Sequence, residues 1–267
     1  MPSISENQRT WGGTYDWSHG GDEWSAPWGG PAAQWRWVLE PRLAGYLPAK
    51  HILEIGPGYG KWSSILKDHC ERLTLVDLSQ QCIDACQHRF VGAPHLSAHA
   101  NDGRSLPMAA DRSVDLVFSF DSLVHAEMDA VDDYVAEFSR ILTDGGHAFI
   151  HHSNRAAYEP LFARIRRFTE QRVLWRAKLV PGVSRWLPPD QHWRARTVSA
   201  TAVREAAERH HLRVVGQELI SWPGTPYLLD AITILARQHD RPPVVFKNRS
   251  FGADAIRISE LALIHQP

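Results

Sequence analysis

The chain has 267 residues, 43% of them hydrophobic and 22% charged, with a formal net charge of -1. That length suits a single core with additions at its ends and one insertion, and the composition is that of an ordinary soluble fold. A charge so close to zero offers no general attraction to nucleic acid or anionic membrane, and no apolar run approaches the roughly 20 residues needed to span a bilayer.

The first residues, Met1-Pro2-Ser3-Ile4-Ser5-Glu6, lack the basic and apolar segments of a secretory signal, so a cytoplasmic protein is expected. Three cysteines include Cys82 and Cys86 in a predicted helix, without a second pair to complete a zinc site, and they read as buried thiols. Residues 1–50 carry six of the eleven tryptophans (Trp11, Trp17, Trp24, Trp28, Trp35 and Trp37) among glycine pairs. This predicts a loop-rich aromatic arm, with a helix, that packs over the core and walls a pocket.

A short apolar run from His51 to Ile55 predicts a strand, and Gly56-Pro57-Gly58-Tyr59-Gly60 a tight turn. A helix should follow over Lys61 to His69. A second strand fits Leu73 to Val76, ending at Asp77, with a helix from Ser79 to Arg89. A weak third strand, Leu96 to Ala98, leads to Asn101-Asp102-Gly103; a fourth, Val114 to Phe118, ends near Asp121. The helix Ala130 to Leu142 should stop at Gly145-Gly146, before a fifth strand from His147 to His152. Alternation of this kind implies an α/β fold, a mostly parallel sheet covered on both faces.

Residues 155–199 hold ten Arg and Lys against three Asp and Glu, with Trp175, Trp186 and Trp193, and read as an insertion or lid. Arginines 164, 166, 167, 172 and 176 fit a solvated helix face better than a nucleic-acid grip. A helix at Ala200 to His211 and strands at Leu212 to Leu219 and Tyr227 to Ala236 close the domain, the last two as an antiparallel hairpin. The organisation expected is therefore an arm over 1–50, a domain over 51–239 and an extension over 240–267.

The glycine turn carries the most chemistry. Gly56, Gly58 and Gly60 let the backbone turn sharply and approach a ligand closely. Their G-x-G-x-G spacing lacks the third glycine of the dinucleotide fingerprint, since position 61 is Lys. S-adenosylmethionine (SAM) has no pyrophosphate to cradle. Glu54 is placed for its ammonium, Asp77 for both ribose hydroxyls, and Asp102 with Gly103 for the adenine amine.

Together these residues resemble class I SAM-dependent methyltransferases over about residues 50–152. The resemblance implies a Rossmann-like, seven-stranded, mostly parallel sheet with helices on both faces and an antiparallel last strand. Leu78 and Phe120, beside Asp77 and Asp121, are implied as further cofactor contacts.

Ligands in open α/β sheets sit beyond the carboxyl ends of the strands, which here carry Asp121-Ser122, His125 and His151-His152-Ser153-Asn154. Methyl transfer to a hydroxyl needs a base or a metal. His125 is the preferred base, with Asp121 and His152 orienting the hydroxyl; alternatively Asp121, His152 and Asn154 hold a divalent cation such as magnesium. The amine-gripping Pro-Pro-Tyr turn of many N-methyltransferases does not follow strand four, which makes oxygen the better acceptor.

The blocks Trp24 to Gly30, Gln34-Trp35, Pro41-Arg42, Val76 to Ser79, Phe120 to His125 and His151 to Asn154 resemble bacterial sugar O-methyltransferases. In particular they resemble actinobacterial enzymes that methylate mannosides in methylmannose polysaccharide synthesis. Indoles stack on sugar faces while polar groups take hydroxyls, so Trp24, Trp28, Trp35 and His151 are the expected acceptor contacts. A phenol or carboxylate acceptor is the alternative, and an RNA methyltransferase or a non-catalytic SAM-binding module is less favoured. The expected partners are a small-molecule or oligosaccharide acceptor and no nucleic acid or membrane, with a homodimer as an open alternative to a monomer.

Overall fold

In the computed structural model, described over residues 3–170, 194–222 and 225–265, the run before the glycine turn forms β1 (Ala49–Ile55). It is followed by β2 (Cys70–Asp77), β3 (Leu96–Ala100), β4 (Val114–Ser119), β5 (Leu142–Ser153), β6 (Arg213–Ile220), β7 (Asp230–Ala236) and β8 (Val244–Asn248). All eight join one sheet in the order β3-β2-β1-β4-β5-β7-β6-β8. Neighbours from β3 to β5 pair in parallel, whereas β7 runs antiparallel to both β5 and β6. Strand order reverses between β1 and β4, which opens a crevice at their carboxyl ends.

The helices are α1 (Ile4–Arg9), α2 (Pro31–Gln34), α3 (Glu40–Leu43), α4 (Ser63–Leu66), α5 (Gln80–Arg89), α6 (Met128–Ile141), α7 (Glu159–Glu170), α8 (Ala200–Arg209) and α9 (Phe251–His265). Alternate residues of the strands point to opposite faces, so each face builds its own core. Leu53 and Val117 pack with Val131, Val135 and Phe138 of α6 and Val203 and Ala206 of α8. On the other face Ile52, Leu116 and Phe118 pack with Leu66 of α4 and with Trp35, Leu39 and Leu43 from the arm. The spacing of Val131, Val135 and Phe138 is the stripe that makes α6 amphipathic. Ser79 and Ser199 cap α5 and α8, their hydroxyls accepting from the backbone of Cys82 and Ala202.

Three expectations are corrected. The sheet has eight strands rather than seven, because Val244–Asn248, in the segment read as an extension, adds in parallel beside β6. The reversed strand is therefore β7, not the last. Gly145-Gly146 does not stop α6, which ends at Ile141; both glycines lie inside β5, where a Cβ on Gly146 would come within 2.8 Å of the Val114 carbonyl oxygen. The arm is also more helical than a loop-rich reading allows, with α1, α2, α3 and tight turns at Asp22–Trp28. Burial explains this, since Trp35 and Leu39, one helical turn apart, pack on the sheet while Trp28 and Val38 pack with Ile220 and Phe251. Residues 171–193, the centre of the expected insertion with Trp175, Trp186 and Trp193, lie outside the described residues. No helix among the described residues is long and apolar enough to cross a membrane.

Candidate active site

The turn after β1 works because two of its glycines are approached by other parts of the chain. Gly56 has φ +72°, and a Cβ there would lie 1.9 Å from Ser122 Oγ. Gly58 has φ +56°, and a Cβ there would lie 2.7 Å from the Trp17 ring. The loop after β4 and the N-terminal arm therefore close on the turn from two sides. Gly60 instead faces Phe90, away from the crevice.

Between these elements lies a cavity of about 1260 Å³. Single drug-sized ligands occupy roughly 300–1,000 Å³, so this one has room for a nucleoside cofactor and an acceptor together. Gly56, Gly58, Asp77, Leu78, Gly103, Phe120, Asp121, His125 and Trp24 all line it, which unites nine of the expected site residues. The arm forms its roof through Ile4, Trp11 and Trp17. Trp17 stacks on Tyr59 at 4.8 Å and donates to the Trp11 carbonyl at 2.9 Å, while the Trp11 ring sits 5.1 Å from that of His125.

Asp77 is fixed from inside the fold by the N–H groups of Gly58 at 3.1 Å and Ser79 at 2.8 Å. Burial pushes its carboxyl up to about 6 against those hydrogen bonds. Glu54, behind the turn, accepts from Ser63 at 2.6 Å and does not line the cavity. Burial, with the charge of Asp77 adding to it, raises Glu54 to about 8.

At the other end of the cavity Asp121 holds φ +61°, a strained conformation that Asp tolerates better than most residues. His151 lies behind it, fully buried and stacked on Phe120 at 4.7 Å. Its Nδ1 is 3.3 Å from Asp121 Oδ1 and 3.2 Å from the Asp121 backbone nitrogen, so a neutral ring accepts the N–H and a protonated ring donates to the carboxylate. Its Nε2 is 3.3 Å from Asp230 Oδ2, without the alignment of a hydrogen bond. Asp230 in turn accepts from Arg194 Nε at 3.0 Å, with Arg194 Nη2 at ion-pair distance, 2.9 Å, and from Trp222 Nε1 at 2.5 Å.

Burial opposes every charge in this chain of groups, but the partners prevail. Asp121 is lowered by His151, Lys61 and Arg194, Asp230 falls well below the usual carboxylate range beside Arg194 and His151, and His151 is raised by its two carboxylates.

Other sequence expectations fail on geometry. His152 points to the opposite face of the sheet from His151; it is fully buried, bonds Thr233 Oγ1 at 2.7 Å, and burial lowers it to about 4. Asn154 is a strut, donating to the Leu228 carbonyl and accepting from Ala200 N at 2.9 Å. Asp121, His152 and Asn154 therefore do not converge on a cation, and among the described residues no group of three His, Cys, Asp or Glu does so. The magnesium alternative does not fit these residues. Asp102 turns its carboxylate onto Arg104 N and Ser105 N at 2.9 and 2.7 Å, an Asp-Gly turn outside the cavity lining. Trp28 and Trp35 are core residues, packed on Phe251 and on Trp62 and His69, and His151 supports the cavity wall without lining it.

The residues that sequence reasoning missed are Trp11, Trp17, Lys61, Arg194 and Trp222, all cavity-lining. Lys61 follows the glycine turn directly, a signal that was available. Nothing local distinguishes Trp11 and Trp17 from the other indoles, and Arg194 and Trp222 reach the site only through the fold.

Residues 53–150 match the family model described as a methyltransferase domain. Sheet order, glycine turn and Asp77 agree with that match, and the fold is the Rossmann-like class I SAM-dependent methyltransferase fold. The chain is 29% identical over 104 residues to nodulation protein S of Rhizobium tropici, covering 38% of this chain and 42% of that one. It is 27% identical over 123 residues to a probable S-adenosylmethionine-dependent methyltransferase of Mycolicibacterium smegmatis, covering 46% of each. These matches thus span less than half the length of either curated relative. The crystal structure of N-methyltransferase NodS from Bradyrhizobium japonicum WM9 with S-adenosyl-L-homocysteine shares the fold at TM-score 0.51 and 19% identity, over 76% of this chain and 85% of that one.

Proposed function

We propose that this protein is a SAM-dependent O-methyltransferase acting on a sugar or oligosaccharide hydroxyl, with a mannoside as the first acceptor to test. The observation that carries the reading is one continuous cavity joining Asp77 to Asp121 and His125 beneath the indoles of Trp11, Trp17 and Trp24. The cofactor end holds two buried carboxyls, Glu54 and Asp77, whose ionisation favours a ligand bearing positive charge, as SAM does at its ammonium and sulfonium. The acceptor end combines indole faces, which suit the C–H faces of a sugar ring, with an ionised Asp121 to accept a hydroxyl hydrogen.

In this reading the acceptor oxygen attacks the sulfonium methyl, the S–CH₃ bond breaks to leave S-adenosylhomocysteine, and His125 takes the hydroxyl proton. Asp121, held by His151, orients the hydroxyl. A base so placed is worth about 10²- to 10⁴-fold, so His125→Ala should cut turnover by that order while leaving S-adenosylhomocysteine affinity unchanged.

A second reading, an amine acceptor, draws on the similarity to nodulation protein S and to the N-methyltransferase structure. An anionic Asp121 under indoles also suits an ammonium. Tritiated-methyl SAM offered with mannose, methyl mannoside, mannose oligosaccharides, glucosamine, catechol and benzoate separates the readings. The sugar reading expects label on a neutral sugar as an alkali-stable ether; label only on glucosamine nitrogen, on catechol, or as an alkali-labile ester would overturn it.

A further inference from the structure

Among the described residues three cationic side chains line the cavity, Lys61, Arg104 and Arg194. The two arginines are already paired. Arg104 reaches Asp133 at 2.5 Å and also Asp129, and Arg194 reaches Asp230 at 2.9 Å. Lys61 differs. It is only 8% exposed, yet among the described residues its ammonium has no hydrogen bond and no carboxylate oxygen within 4.0 Å. Its ammonium lies 4.6 Å from the centre of the Trp62 ring, and Asp121, Asp22, Glu23 and Glu54 act on it only through space.

A buried ammonium supported by one indole face is an expensive arrangement unless its hydrogens are accepted by something else. Lys61 sits between the glycine turn, where an amino acid tail would lie, and Asp121, where the acceptor would lie. The positive charge left by the protein's own pairing is therefore at the junction of the two ligands.

We propose that Lys61 is an anion-binding residue of this cavity, its ammonium donating to a carboxylate or phosphate oxygen of a bound small molecule. Two molecules could bring that oxygen, the cofactor through its amino acid carboxylate or an acidic or phosphorylated acceptor. The first source rests on the cofactor reading above; the second does not.

The test compares wild type, Lys61→Met and Lys61→Arg by calorimetry. Lys61→Met keeps the length of the stem and removes a buried charge, so its thermal melting should equal or exceed wild type, which verifies the fold. The first arm titrates S-adenosylhomocysteine and 5′-methylthioadenosine, which shares the adenosine but has no carboxylate. If the cofactor supplies the anion, Lys61→Met weakens S-adenosylhomocysteine by about 10- to 100-fold, leaves methylthioadenosine unchanged, and Lys61→Arg restores most of the loss. The second arm titrates glucuronate, glucose 6-phosphate and inorganic phosphate, with glucose as the neutral control. If the acceptor supplies the anion, the charged probes bind wild type better than glucose does, and Lys61→Met removes that preference. Wild type that binds neither adenosine ligand would defeat the cofactor reading and leave the second arm to decide on Lys61. Identical affinities of wild type and Lys61→Met for S-adenosylhomocysteine and for every anionic probe, absence of binding included, would overturn the proposal.

Discussion

Replacing Asp230 by Asn removes the charge on which Arg194, Trp222 and His151 converge. Asp230 is fully buried, with Arg194 Nε at 3.0 Å, Trp222 Nε1 at 2.5 Å and His151 Nε2 at 3.3 Å. Asn keeps one acceptor oxygen but turns an NH₂ toward groups that also donate, and it leaves the buried Arg194 without its paired carboxylate and His151 with Asp121 alone. Removing one partner of a buried ion pair costs about 3–5 kcal/mol. The pH dependence follows from the shifted groups. The Asp230 carboxyl is depressed, so its contribution is present above the ordinary carboxylate value and is lost in acid. The His151 imidazolium is raised, so its contribution is complete below the ordinary histidine value and is lost as pH rises through the raised one. Urea unfolding should therefore show the full gap between wild type and Asp230→Asn below the ordinary histidine value, near about pH 5.5, and a smaller one at alkaline pH above the raised value, where Arg194 is the cation that Asp230 still balances. A gap below about 1 kcal/mol at the lower pH, or one unchanged between the two, would refute this account of the network.

Gly56→Ala should lower the melting temperature and weaken S-adenosylhomocysteine by tenfold or more, because its Cβ would fall 1.9 Å from Ser122 Oγ at a φ of +72°; wild-type melting and affinity would count against the turn geometry. Ionisation of Asp77 near about 6 and Glu54 near about 8 should strengthen SAM binding as pH rises through that range, with proton release visible as a buffer-dependent heat. Affinity that is flat or falls across the range contradicts it. Turnover should be the same in EDTA as in added magnesium, since Asp121, His152 and Asn154 do not meet; loss in EDTA restored by magnesium would show that a cation is held by other groups.

Much of the fold could be read locally. Strands β1, β2 and β4 are apolar runs that end at Gly56, Asp77 and near Asp121, so both the strands and their carboxyl-end chemistry show in the sequence. β8 was hidden because Val244–Phe246 is exposed, short and follows Pro242-Pro243, with neither alternation nor a buried run to mark it. The two adjacent histidines show the limit of position as a guide. His151 and His152 look equivalent in sequence, but the strand's period of two sends one toward Asp121 and the other to Thr233 across the sheet. Which of them faced the crevice depended on the register of β5, which no local signal set. The tryptophans fail for a similar reason: Trp24 and Trp28 are four residues apart, and the helical turns that bury Trp28 on Phe251 leave Trp24 at the cavity. Asp102 made a plain Asp-Gly turn, a role its sequence context allowed from the start.

The central claim is that the cavity lined by the glycine turn binds SAM through Asp77, and titration calorimetry of wild type and Asp77→Ala with S-adenosylhomocysteine, and with NAD as control, tests it most directly. Each hydrogen bond to a charged group is worth about 1.5–3 kcal/mol, so losing two ribose contacts should weaken S-adenosylhomocysteine by at least about 10²-fold while NAD binds neither protein. Tight NAD binding with no response to S-adenosylhomocysteine would contradict it.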